Sequence, residues 1–221
     1  MDWTVEHRRG SAQSLHDAAA ASTDGPWRRT VVVQEVTAPA VVLGSTQPDG
    51  VVSVAAARGA GCEAARRRSG GGAVLLVPGD HVWVDVLVPA GDPLWDDDVG
   101  RSSWWLGAAW AGALGGGDVH RGPVTDRVAA RVACFAALGP GEVEVDGRKV
   151  VGLSQRRTRQ GARFQCVAYR SWRPEALLEL LDPAVVGSPA LAGVTAALVG
   201  RAGAAVEPGW GVVERLLPVL P

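Results

Sequence analysis

Of the 22 cationic residues in the chain, Lys149 is the single lysine and the others are arginine. Arginine offers a planar fork that stays charged, whereas lysine offers a compact ammonium on a flexible stem. A position that keeps lysine against such a background calls for a point charge. Lys149 stands in Asp146-Gly147-Arg148-Lys149-Val150-Val151-Gly152-Leu153-Ser154-Gln155-Arg156-Arg157. A second segment, Arg66-Arg67-Arg68-Ser69-Gly70-Gly71-Gly72-Ala73-Val74, joins cationic forks to a loop without side chains, whose amides can turn toward an anion. That suits the holding of a phosphate or carboxylate, and read alone it also makes a glycine-rich β turn. No Gly-Lys-Ser/Thr ending follows, and no GxGxxG lies at a strand-to-helix turn, so the two standard nucleotide fingerprints are absent.

The three cysteines, Cys62, Cys134 and Cys166, are odd in number and widely spaced, which fits neither a disulfide framework nor a zinc site. Each reads first as a small buried hydrophobe. His81 and the loop His120-Arg121-Gly122-Pro123 read as surface or as weak substrate contacts. Asp96-Asp97-Asp98 precedes a helical pattern and reads as a cluster capping its positive end, so no metal site is expected.

Taken together, the two segments resemble the lipoate-protein ligase family, within the biotin/lipoate ligase superfamily. In that family an arginine pair and Ser-Gly-Gly-Gly-Ala-Val surround an acyl-adenylate, and a Gly-Arg/Lys-Lys-Ile/Val-x-Gly-x-Ala/Ser-Gln-Arg segment carries the active-site lysine. The resemblance implies that Arg67, Ser69, Gly70, Gly71, Gly72, Ala73, Val74, Leu75 and Asp80 line nucleotide and acyl-phosphate, while Lys149 contacts the acyl carbonyl and bridging phosphate oxygen. The implied reaction attaches lipoate or octanoate in amide linkage to a lipoyl-domain lysine through lipoyl-AMP, with ATP and Mg as the substrate complex. The implied acceptors are a 2-oxoacid dehydrogenase E2 or the glycine cleavage H protein.

Cys134-Phe135, fifteen residues before Lys149, also resembles the cysteine-dependent octanoyltransferase branch. There Cys134 would be the acyl carrier and no ATP or other cofactor would be needed, and a nearby ammonium would favour the thiolate. Departures from the ligase pattern are Leu75-Leu76-Val77-Pro78-Gly79-Asp80 in place of an aromatic, His, Asp, spacer, Gly and Asn; Gly139-Pro140-Gly141-Glu142 near the place of an Asn-Asp pair; and Phe164-Gln165-Cys166 in place of His-His-Gly or Gln-His-Gly. The ligase is the first reading and the transferase the second. A non-catalytic acyl- or nucleotide-binding relative is the third.

The elements that must position these residues follow from periodicity. Strands are expected at 30–35 and 40–44, forming a hairpin, and at 73–77, 131–136, 141–154 around an Asp-Gly turn, and 163–169. Residues 81–88 alternate with Val82, Val84, Val86 and Val88 on one face and Asp85 opposite, as in a half-buried strand. Helices are expected at 51–58, 99–114, 174–181, 189–199 and 208–217. The fold class is α+β, a mixed, largely antiparallel sheet flanked by helices. The resemblance implies a biotin/lipoate ligase catalytic domain with a class II aminoacyl-tRNA synthetase-like core.

With 221 residues, 47% hydrophobic and 20% charged, the chain reads as one domain over 1–221, with residues 1–28 as an N-terminal extension. The net charge of −1 removes the general attraction that nucleic-acid and membrane-surface binders use, so neither partner is expected. The acidic N-terminus lacks the features of a secretory signal, and a cytoplasmic location is expected.

Overall fold

A computed structural model describes residues 3–21, 27–182, 184, 189–204, 207 and 210–221. The main sheet is built from β1 (Thr4–Gly10), β2 (Thr30–Val36), β6 (His81–Pro89), β7 (Asp118–Val119), β8 (Val143–Val145), β9 (Arg148–Arg157) and β10 (Gly161–Tyr169). Its strand order is β1-β2-β6-β10-β9-β8-β7, with β1 parallel to β2 and every other pair antiparallel. A second sheet has the order β4-β3-β5, from β3 (Ala40–Leu43), β4 (Glu63–Arg66) and β5 (Val74–Leu76). The fold is therefore α+β with a mixed, mostly antiparallel main sheet, as the sequence predicts.

Past the short α2 (Val54–Gly59), helix α3 (Trp104–Leu114) covers one face of the main sheet, where Leu106 and Trp110 pack on Val84, Val86, Phe164 and Cys166. The small sheet and α1 (Ala12–Ala21) lie against the other face, and Val42, Val74 and Leu76 meet Trp83 there. β6 is consequently buried from His81 to Val88, not half-buried, because its valine face meets α3 while its other face lies under the small sheet. Asp85 on that second face is fully buried. Arg163 donates to it at 2.6 and 3.1 Å, Gln34 at 2.8 Å and the Trp83 indole at 3.0 Å, which compensates the buried charge.

Three other expectations are corrected. Residues 30–35 and 40–44 form no hairpin, since β2 and β3 belong to different sheets and residues 37–39 carry the chain from one to the other. Residues 131–136 are not a strand: α4 (Arg127–Val132) runs into a single 3-10 turn, Cys134–Ala136. Asp126 accepts from the amides of Val128 and Ala129 and so starts that helix locally. The main helix begins at Trp104, after a 3-10 turn at Arg101–Ser103 whose entry Asp98 holds by accepting from the amides of Gly100 and Arg101. Residues 1–28 include β1 and α1, and β1 is an edge of the main sheet. Among the described residues no helix is long and apolar enough to cross a membrane.

Candidate active site

The turn at Asp146-Gly147 takes positive φ at both positions, 51° and 72°, the conformation a tight hairpin of right-handed twist requires, and it leads β8 into β9. β9 carries Lys149. Its side chain is 2% exposed, and Nζ donates to the carbonyls of Cys134 at 2.7 Å and Ala137 at 2.9 Å and pairs with Glu142 at 2.6 Å. An ammonium has three hydrogens, and here each has an oxygen. The same Nζ lies 4.9 Å from the centre of the Phe135 ring and 3.9 Å from Cys134 Sγ. Glu142 is equally well held, accepting from the amides of Gly139 at 2.7 Å and Leu153 at 2.9 Å.

The cysteine and the glycine loop are tied by backbone. Ala73 donates to the carbonyl of Val132 at 2.9 Å, and the Cys134 amide donates to the carbonyl of Ala73 at 3.0 Å. A Cβ on Gly72 would sit 2.5 Å from the Ala133 nitrogen, so this approach demands glycine. Arg67 is buried and spends its fork on the loop, donating to the carbonyls of Gly70 and Gly72 at 2.8 Å and to that of Val42 at 3.3 Å. It fixes the loop's carbonyls inward. The amides of Gly70, Gly71 and Gly72 make no hydrogen bond to a described residue. Ser69 donates to Gln165 at 2.8 Å and lies 3.0 Å from the Ser154 hydroxyl.

These parts wall a channel of two adjoining chambers, the inner one between the sheets. Its inner chamber, about 40 Å³, is lined by Val42, Val74, Leu76, Trp83, Phe135 and Val167, with Arg67, Gln165 and His16 among its polar neighbours. Its outer chamber, about 400 Å³, is lined by Gly70, Gly71, Gly72, Glu142, Lys149 and Gln155. Cys134, Leu153 and Ser154 line both and mark the neck. Gly152 leaves room for Phe135, whose ring would lie 2.7 Å from an added Cβ.

Of the residues singled out from the sequence, the structure thus gathers Lys149, Cys134, Arg67, Gly70, Gly71, Gly72 and Val74 at the channel, with Ser69 and Ala73 supporting it. It does not bring Leu75 and Asp80 there. Leu75 and Asp80 line a separate hollow beside Tyr169 and Arg173, where Asp80 pairs with Arg173 and the Leu75 carbonyl accepts from Tyr169. β5 ends at Leu76, and the chain turns away before Asp80. His81 bonds the Val77 carbonyl at 2.9 Å and His120 that of Pro123 at 2.9 Å, both off the channel walls. Cys62 and Cys166 are also off the channel, and burial raises both thiol pKa values, Cys166 far above its ordinary value. Among the described residues no group of three or more His, Cys, Asp or Glu side chains could hold a metal ion.

Three features escaped the sequence reading. Glu142 registered there only as a departure from a motif, although its position seven residues before the lone lysine was a signal. His16 and the buried Asp85–Arg163 pair escaped it because their partners are remote in sequence.

Residues 11–185 match the family model of the lipoyl protein ligase A/B catalytic domain, and the chain belongs to that family. It is an enzyme of the lipoate-ligase type. Similar solved structures include the bipartite lipoate protein ligase from Thermoplasma acidophilum, described with its E2 lipoyl domain (TM-score 0.71, 16% identity, 100% of this chain and 81% of that one). A lipoate-protein ligase A bound with ATP gives a TM-score of 0.66 at 14% identity, over 90% of this chain and 83% of that one. LipL1 of P. falciparum in complex with lipoate gives 0.61 at 12% identity, over 90% and 60%. At such identities these likenesses concern the fold. No curated protein matches the sequence.

Proposed function

We propose that residues 1–221 form one catalytic domain that joins a lipoyl or octanoyl group, in amide linkage, to a lysine of a lipoyl domain. The observation that carries this reading is the two-chamber channel: an apolar inner end for an acyl tail, a neck at Cys134, and an outer chamber with Lys149 and unspent glycine amides where an acyl carbonyl and a phosphate would lie. Relatives described with ATP, with lipoate and with an E2 lipoyl domain agree with these substrate and acceptor classes.

In the ligase route, the acid and ATP give acyl-AMP and pyrophosphate. The acceptor amine then attacks the acyl carbonyl, and AMP leaves. The amides of Gly70, Gly71 and Gly72 hold the phosphate, and the Lys149 ammonium faces the developing carbonyl and phosphate charge. Because its three hydrogens are already bonded, Lys149 acts by exchanging one protein oxygen for a substrate oxygen. Mg enters as part of the ATP complex. Glu142 is no ready ligand for it, since its carboxylate is committed to Lys149, Gly139 and Leu153.

A second reading rests on Cys134. Its sulfur lines the neck of the channel 3.9 Å from an ammonium, where a thiolate could take octanoyl from a carrier thioester and pass it to the acceptor lysine without ATP. Three free thiols and no membrane-crossing helix among the described residues agree with work in the cytoplasm. Intact-mass measurement of a lipoyl-domain acceptor separates the routes, with lipoate plus MgATP in one tube and octanoyl carrier thioester in another. Acylation in the first tube supports the ligase, and acylation in the second alone supports the transferase. Acylation in neither leaves a non-catalytic relative.

A further inference from the structure

The inner chamber has a polar wall on α1 that neither catalytic route uses. His16 is 3% exposed, and its ring packs on Trp83 with centroids 4.6 Å apart. Gln165 accepts from Ser69 at its Oε1, which leaves its amide nitrogen to donate to His16 Nδ1 at 3.2 Å. The ring's hydrogen therefore sits on Nε2. Burial, with the nearby Arg163 and Arg67 cations, lowers the His16 pKa to about 3, so the ring is neutral at ordinary pH. Nε2 is buried and has no partner among the described residues. A buried N–H without an acceptor is costly, and His16 is one of the residues that line the inner chamber.

The other walls of this chamber are chiefly apolar, Val42, Val74, Leu76, Trp83, Phe135 and Val167, the Arg67 fork there is spent on the carbonyls of Val42, Gly70 and Gly72, and Lys149 lines only the outer chamber. An acyl group whose carboxyl end reaches Lys149 thus brings its tail toward His16. About 40 Å³ admits the tip of a chain and little more. A saturated tip would offer this N–H nothing, whereas a carbonyl-type oxygen would complete it without bringing a hydrogen of its own to satisfy.

We propose that His16, set by Gln165 and Ser69, is a specificity-determining residue that selects acyl groups carrying a hydrogen-bond acceptor near the tail over plain alkyl groups. The proposal rests on the reading of the channel as an acyl site. Its test is calorimetric binding of octanoate and 7-oxooctanoate, equal in chain length, to the full chain and to His16→Phe, which keeps the ring on Trp83 and removes the N–H. The wild type is expected to bind the oxo acid about tenfold to a hundredfold more tightly, the range a single satisfied buried donor commands, and His16→Phe to lose that preference while binding octanoate at least as well. Equal affinities in the wild type, or a preference that survives in His16→Phe, would overturn the proposal and leave the acyl site standing. Failure of both acids to bind the wild type would overturn the acyl-site reading and the proposal with it. If His16→Phe does not fold, His16→Gln with the same pair keeps the comparison, because it returns a donor and is expected to keep part of the preference.

Discussion

Lys149 has an oxygen for each of its three hydrogens and an aromatic ring against it, a setting shaped for a point charge. Lys149→Arg keeps the charge but needs room for a planar fork, so acceptor acylation is expected to fall by at least about a hundredfold, the scale seen when a preorganised donor is lost. Near-normal turnover in a steady-state assay would make the lone lysine incidental. Lys149→Met leaves Glu142 as an unpaired buried carboxylate and is expected to cost about 3–5 kcal/mol, read from urea unfolding. Cys134→Ser separates the two routes at one atom. In the ligase route it leaves turnover with ATP largely intact and costs roughly 1 kcal/mol of packing, whereas in the transferase route it removes a covalent octanoyl adduct visible by intact mass and stops transfer.

At the scale of elements, the glycine loop is held by close backbone approach. A Cβ on Gly44 would run into the Gly71 carbonyl, and one on Gly72 would meet Ala130 and Ala133. Gly44→Ala and Gly72→Ala are each expected to lower stability by about 1–3 kcal/mol and to weaken binding of a lipoyl-adenylate analogue, measured by thermal melts and calorimetry. Unchanged binding would separate the loop from the ligand. The loop and the lysine were legible in the sequence because their chemistry is local: a run of glycines and a hairpin turn keep their meaning in any context. The valine face of β6 was legible for the same reason, whereas the burial of its other face depends on a second sheet that periodicity does not report. Residues 131–136 mimic a strand in composition, yet Asp126 caps a helix that ends at Val132 and a 3-10 turn follows at Cys134–Ala136. His16 reaches Gln165 across 149 residues, a contact no local pattern encodes.

For the molecule as a whole, acid is the revealing variable. His16 and His81 are both buried and neutral, with pKa values lowered from 6.5 to about 3 and about 4, in each case chiefly by burial. The unfolded chain binds protons at these positions below pH 6.5 while the folded chain resists them. Their contribution is therefore complete above pH 6.5 and is lost as pH falls from there toward 4 and then 3. Urea midpoints are expected to drop between pH 7 and pH 4.5, with a shallower slope in His16→Phe/His81→Gln; an unchanged slope would place the acid sensitivity elsewhere. A crystal structure with a non-hydrolysable lipoyl-adenylate decides whether acyl group and nucleotide meet in the channel. The acyl tail is expected between Trp83 and Leu76, the carbonyl within hydrogen-bond reach of Lys149 and the phosphate mimic on the amides of Gly70–Gly72. An analogue seated outside this channel, or an acyl tail left in solvent, would contradict this placement.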